Sequence, residues 1–548
     1  MRLSSNMRFN YLIFIFFFQI KTIIICQPDS RFRPFDWTLI KDSGSINSIT
    51  EGYSNIYIGT SLGGVKRFNK YSYSFNPPIT TAQGLKENNI NAVHFDKQKG
   101  ILWIASKNFL HYSYSREGDW YVIKLSDLNV FYKDKIEKIG STNGHIWLAA
   151  RSSYFKLDNT SGTFIGVFPI PDELNISWSS GRYIEDNKSS SILMNYSLMD
   201  GYVYNGGELI DNLGKRVQIQ SLFYGEHDNI YFGTDDGTFF NATKTMQMFS
   251  SFKPDIENTD ISSIYIEDDE IWVGSHDYIN SKGISNLNVK TGFSRTYNFE
   301  WTINMTPTPI YSIFKYKNEV WFGGEDILLF HDVDKDYWRT FSEESIGYVA
   351  KISDLYADSN YVWISSSSGL SCLDRSKKEK INFGVEDLFY QVNINDMENV
   401  DDKLWVGTNG GLYVISLNDP SIFNANDFGR KNFNERIEDV SVLKYFEGKI
   451  YIVCQIGICV YDYNEETWDL LCPSGIYNHE YISSLAINKK YIFLGTNSGL
   501  LRLEKKTGIS RKYDYEFLKR INDLAISDNL LYIGTSDGLV KFKWRRDV

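Results

Sequence analysis

The chain is short of cysteine, of histidine and of positive charge, and each shortage removes a class of function. Five cysteines in 548 residues cannot make a disulfide-dense scaffold. Beyond Cys26 there are Cys372, Cys454, Cys459 and Cys472. Cys459 and Cys472 could pair across strands in an oxidising compartment or fill core positions as free thiols. Cys454 and Cys459 have no second pair or His cluster beside them to complete four zinc ligands. The seven histidines (His94, His111, His145, His227, His276, His331 and His479) are scattered without ligand spacing, so neither a metal nor a cofactor is expected. Lys and Arg number 57 against 68 Asp and Glu, which disfavours nucleic acid as a partner. No Gly-x-Ser-x-Gly elbow, His-Glu-x-x-His, phosphate loop or EF-hand loop occurs. No stretch sustains a 3.6-residue apolar period, which argues for strands over helices.

What the chain does have is one phrase, repeated: an aliphatic residue, an aromatic, another aliphatic, then Gly-Thr or a variant. Ile56-Tyr57-Ile58-Gly59-Thr60, Leu102-Trp103-Ile104-Ala105-Ser106 and Leu404-Trp405-Val406-Gly407-Thr408 are examples. The aromatics stand at 57, 103, 147, 231, 272, 321, 363, 405, 451, 493 and 532, spaced 39 to 49 residues apart except for one gap of 84. That gap fits a worn copy near Ser191-Ile192-Leu193-Met194, giving twelve. A period of 40 to 50 residues marks a propeller or solenoid, and four short β segments per copy suit a propeller blade. The expectation is all-β: a β-propeller protein of about twelve four-stranded blades arranged as two propellers, since twelve exceeds the usual four to eight per ring.

Phe35 to Ile40 looks like an outermost strand with no blade before it, and the last copy stops after its third strand, so one end supplies what the other lacks. The longest ordinary gap, Trp272 to Trp321, contains Trp301 to Pro309 and is the expected linker. It divides the copies six and six, and with the N-terminal segment set apart the chain reads as 1–26, 27–290 (first propeller) and 291–548 (second). Seven and five blades, or a chain that leaves one ring, builds the other and returns, remain open. Six of thirteen tryptophans occupy the phrase and should be core.

The N-terminus carries Arg2 and Arg8, the apolar run Tyr11 to Phe18, then Ile23-Ile24-Ile25-Cys26. This is the layout of a secretory signal peptide, with cleavage after Cys26 or a lipoprotein acylated there as the alternative. Its removal leaves a net charge of -14. No later segment reaches the eighteen apolar residues of a membrane span, so none is expected in the mature chain, and the protein is expected in the periplasm or at the cell surface.

The phrase followed by Gly-Leu, as in Trp405 to Tyr413 and Gly534 to Leu539, resembles the two-component-regulator propeller repeat, which builds periplasmic sensor regions. The opening, with Trp37, Ile56-Tyr57-Ile58, Gln83 to Ile90 and Leu102-Trp103, also resembles PorZ-type propeller proteins of type IX secretion. The resemblance covers 35 to 544 and reaches only the propeller part, ending at Trp544-Arg545-Arg546-Asp547-Val548 without a kinase or sorting-type domain. It implies an exported, non-enzymatic binding or scaffold protein of the cell envelope, with envelope or secretion proteins, or a glycan, as partner. A propeller hydrolase or lyase is the remaining alternative. Aromatics outside the phrase are the candidate ligand contacts: Trp178 and Arg182 in Glu173 to Tyr183, Trp301 in the linker, Tyr390, and Tyr477 with His479 in Ser474 to Tyr481. Connections of this kind gather at one face of a propeller.

Overall fold

In a computed structural model the chain is a β-propeller protein made almost wholly of strands. The structure describes residues 32–547 apart from 131–133, 182–186, 206–207, 255, 278–281, 348–349, 419–420 and 428. The expected signal peptide lies outside the described residues.

In each full sheet the phrase forms the second strand. Its aromatic is buried in every one of the eleven copies, from Tyr57 to Tyr532. The hydroxyl that ends the phrase explains the Gly-Thr signature. Thr408 Oγ1 donates to Gly411 O at 2.8 Å and accepts from Gly410 N at 3.2 Å, closing the hairpin into the third strand. Gly411 turns that corner at φ +141, where a side chain would be strained.

Thirteen strands carry the architecture: β1 (Trp37–Ile40), β2 (Ile46–Glu51), β3 (Ile90–Asp96), β4 (Lys138–Ser141), β5 (Ser177–Trp178), β6 (Ile219–Tyr224), β7 (Ile261–Glu267), β8 (Ile310–Tyr316), β9 (Ile352–Ala357), β10 (Ile394–Val400), β11 (Val442–Phe446), β12 (Ile482–Ile487) and β13 (Ile521–Ser527). Apart from β1 and β5 these are the innermost strands of their sheets, β4 with β5 added on its inner side, and each pairs antiparallel with the phrase strand that follows it. From β7 to β13 each packs on the next, and β13 packs back on β7, so these seven sheets form a closed circuit. In the other group β6 lies on β2, β2 on β3 and β3 on β4.

Two kinds of contact set this order. The phrase glycine of one sheet faces an aliphatic residue at or just ahead of the start of its neighbour's inner strand: a Cβ at Gly534 would stand 2.9 Å from Ile261 Cγ2, one at Gly233 2.2 Å from Ile46 Cγ2, and one at Gly407 2.6 Å from Val440 Cγ1. Second, the inner strand's third residue reaches across to a backbone N–H. Met397 N donates to Asp354 Oδ2 at 3.1 Å, Leu443 N to Asp396 Oδ2 at 2.6 Å, Leu524 N to Ser484 Oγ at 3.0 Å and Ile264 N to Asp523 Oδ2 at 2.8 Å. The last of these joins the final sheet to β7. Each such bond satisfies a donor facing the axis.

The closing strand pairs as the termini suggest. β1 runs antiparallel to Gly538–Phe542, with Trp37 opposite Phe542 and Ile40 opposite Leu539. The expected boundary at 290/291 fails, because it falls between Gly283–Asn288 and Ser294–Asn298, two paired strands of one sheet. That sheet's inner strand sits between β8 and β13. Trp301 belongs to a π-helical turn, Phe299–Ile303, joining neighbouring sheets; a long gap meant an elaborate connection and not a linker. The worn copy is also corrected. Ser191 to Met194 lie in the helix Asn187–Asn195, whose Leu193 packs with Leu209 and Phe240, and a three-stranded sheet over 203–217 follows.

Candidate functional site at the axis of the N-terminal sheets

β5 is the element that makes a site. It pairs with β4, Trp178 opposite Gly140, and the chain then crosses to β2. There Ser180 N donates to Ile49 O at 3.0 Å, Ile49 N to Ser180 Oγ at 2.5 Å and Ser48 Oγ to Ser180 O at 2.9 Å. The crossing needs Gly140, since a Cβ there would meet the Trp178 ring at 2.7 Å. Lys138 Nζ lies 4.7 Å from that ring, within cation–π range.

Beside this crossing lies a cavity of about 880 Å³, lined from the ends of β2, β3, β4 and β6 and by residues 173–178. Its wall includes Trp178, Phe95, Tyr224 and Leu174 among polar groups, several of them held in ion pairs. Glu173 contacts His145 Nδ1 at 2.5 Å and Lys156 Nζ at 2.8 Å, and accepts from Thr142 Oγ1 at 2.5 Å and Trp147 Nε1 at 3.4 Å. Burial opposes its ionisation, but the bonds from Lys156, Thr142 and Trp147 and the nearby His145 outweigh that and hold its carboxyl down at about 2. Glu226 meets Lys97 at 2.6 Å and Glu51 meets Lys70 at 2.8 Å.

His94 and Ser141 also line the cavity, with Nε2 and Oγ 2.8 Å apart. They do not make an activated nucleophile. Burial pushes His94 down to about 3, so the imidazolium that a general base must become is disfavoured, and Nδ1 has no orienting acceptor. A second cavity of about 410 Å³ shares Glu51, Lys97 and Glu226 with the first and is walled by Tyr53, Tyr71 and Tyr73. These three tyrosines are exposed, and the buried Asn241 presents an Oδ1 without a partner there.

No family model and no curated protein matches the chain. Among solved structures, the chain is similar to the extracellular domains of two hybrid two-component systems of B. thetaiotaomicron. One shows 15% identity over 90% of this chain and 69% of that chain, at a TM-score of 0.42; the other 15% over 90% and 75%, at 0.41. It is also similar to BamB from Moraxella catarrhalis, with 13% identity over 59% of this chain and 96% of that one, at 0.38.

The sequence candidates do not form one site. Trp178 lines the axial cavity, and Arg182 lies outside the described residues. Trp301 and Tyr390 are exposed, each in a connection from an outer strand to the next inner strand, at β8 and β10. His479 is exposed ahead of β12. Tyr477 is buried against Val442, Ile458 and Cys472, so its ring serves the core and is not available at a face. Cys459 and Cys472 also part company: Cys472 pairs with Ile458 and Cys459 with Leu470, so they stand on opposite faces of the sheet, and all four described cysteines are free thiols. Missed altogether were His94, Ser141, Glu173 and the tyrosine ledge, whose residues meet only after the sheets are arranged about the axis.

The seven-sheet circuit has its own axial cluster, Asp354, Asp396, Asp523, Glu398 and Lys444. Burial raises all four carboxyls, Asp523 to about 6, while Lys444 Nζ stands 3.7 Å from Glu398. Among the described residues no three His, Cys, Asp or Glu are placed to hold a metal ion, and no helix is long and apolar enough to cross a membrane.

Proposed function

We propose that the protein is an exported, non-enzymatic binding module of the cell envelope whose ligand enters the axial cavity against Trp178. The observation that carries this reading is the crossing segment 173–180, which walls a large cavity with one aromatic face and with a carboxylate, Glu173, already paired with Lys156 and His145. Such a wall orients a ligand by hydrogen bonds and contact area and supplies no ready acid, base or nucleophile. The domain reading that fits the closed circuit of seven sheets and the separate N-terminal group is two propellers, the second closed by β1. A signal peptide over 1–26, or lipid attachment at Cys26, completes the export reading.

The occupant in this reading is a segment of an envelope protein, in a secretion or surface-assembly system. A glycan is the second reading, favoured by the tyrosine ledge, because flat phenol faces beside Asn and paired carboxylates suit a neutral polyol. Trp301 and Tyr390 would form a separate contact surface on the seven-sheet circuit. The test is capture of partners from envelope extracts with wild type, Trp178→Ala and Trp301→Ala, alongside a glycan array. Loss of binding in Trp178→Ala with folding intact supports the axial site. Unchanged binding in both variants removes these residues, and turnover of any glycan or peptide overturns the non-enzymatic reading.

A further inference from the structure

A third cavity, of about 340 Å³, opens between the sheets begun by β11 and β12. Phe446, Tyr451, Val460 and Leu471 wall it, and three lysines reach it. Two of these have carboxylate partners: Lys449 meets Asp462 at 2.7 Å and Lys489 meets Glu447 at 3.3 Å. Lys505 differs. It leaves the turn after Gly499–Glu504 and crosses to the neighbouring sheet, where its Nζ lies 4.6 Å from the Phe446 ring and 4.7 Å from the Tyr451 ring. Among the described residues no carboxylate oxygen stands within 4 Å of it.

We propose that Lys505 is a nucleophilic amine whose pocket takes a small aldehyde with an apolar body, held as an imine. The amine lone pair attacks the carbonyl carbon, and a proton passes from nitrogen to oxygen to give the carbinolamine. The second N–H proton and the hydroxyl then leave as water, so the N=C bond forms with no oxidant or reductant. The apolar wall selects the alkyl or aryl body, and the aromatic faces keep contact with the product once the positive charge has gone. Burial pushes Lys505 down and Lys449 reinforces it, while Glu447 opposes it, leaving the group at about 8; the Phe446 and Tyr451 ring faces also favour the charged form, and Lys489 and Asp469 complete the charged surroundings. About a quarter of Lys505 is then uncharged at pH 7.5, against about one part in a thousand for an ordinary lysine. Desolvation is the same device that activates catalytic lysines elsewhere.

The experiment treats the folded protein with benzaldehyde and cyanoborohydride from pH 6.5 to 10, then maps benzylated lysines by peptide mass spectrometry. Lys490, which sits 3.5 Å from Glu504, is the internal comparison. The expected result is labelling of Lys505 at least tenfold faster than Lys490 at pH 7.5, saturable in aldehyde, with an inflection near pH 8, and absent at that site in Lys505→Arg. Equal rates at the two lysines, a rate linear in aldehyde, or a profile still rising at pH 10 would each overturn the proposal.

Discussion

The closing strand sets the sharpest test of the fold. Trp37 is fully buried, its ring stacked on Phe542 with centroids 3.6 Å apart and planes 7° from parallel, and Tyr513, Tyr515 and Phe517 surround it. Replacing it by Ala should cost about 3 to 5 kcal/mol as a core aromatic truncation, a large part of the roughly 5 to 15 kcal/mol that holds a typical domain folded. The stack itself should contribute about 1 kcal/mol of that, readable as the coupling in a Trp37→Ala and Phe542→Ala double-mutant cycle. Urea unfolding followed by tryptophan fluorescence measures both. Deletion of residues 27–41 goes further, because it leaves Gly538–Phe542 as an unpaired edge and invites association of molecules; light scattering after size exclusion reads that outcome. A Trp37→Ala protein within 1 kcal/mol of wild type, or a truncated protein that stays monomeric with unchanged melting, would refute the closure argument.

Gly534→Ala should destabilise by about 1 to 3 kcal/mol through overpacking on Ile261, and Ile261→Ala in the same chain should recover part of the loss, giving a non-additive pair in thermal melts. Asp523 titrates high in the folded state, so the stability it allows is fully present below an unfolded value of about 3.9 and is lost as pH rises through about 6. Asp523→Asn should therefore gain on wild type by up to about 3 kcal/mol between pH 4 and pH 7, and a gap that does not change with pH in urea titrations would refute this. Trp301→Ala and Tyr390→Ala remove exposed rings and should leave stability within about 0.5 kcal/mol, as checked by the same melts.

The repeated phrase was legible because it is written by packing. An aromatic buried between sheets recurs in all eleven copies, and a glycine that admits a neighbour's Ile or Val recurs at Gly59, Gly233, Gly274, Gly323, Gly407, Gly495 and Gly534, so strand identity, sheet order along the chain and the β1 closure all show in the sequence. Membership of the closed circuit or of the N-terminal group did not, because the contact that decides it, Gly534 against Ile261, pairs the same residue types as Gly233 against Ile46. The axial site was legible only in part. Trp178 stood out as an aromatic in a loop, but its seat depends on Gly140, and Glu173 becomes a hub only when residues 142, 145, 147 and 156 are folded beneath it. Tyr477 misled because a short turn ahead of β12 folds its ring inward, while Tyr390, in a similar turn, points out.

The latch also fixes the order of events in folding. Trp37 and Phe542 are 505 positions apart, and everything from β2 to β6 is strung between the latch strand and the circuit it closes. A chain emerging N-terminus first must hold its first strand unpaired until its final one arrives. During that interval an apolar strand containing Trp37 and Leu39 has no native partner, and pairing so distant in sequence is slow to form. The wait is longest when chain emergence is slow, so the yield of correctly closed protein should depend on the speed of that emergence and on whatever shields that strand meanwhile.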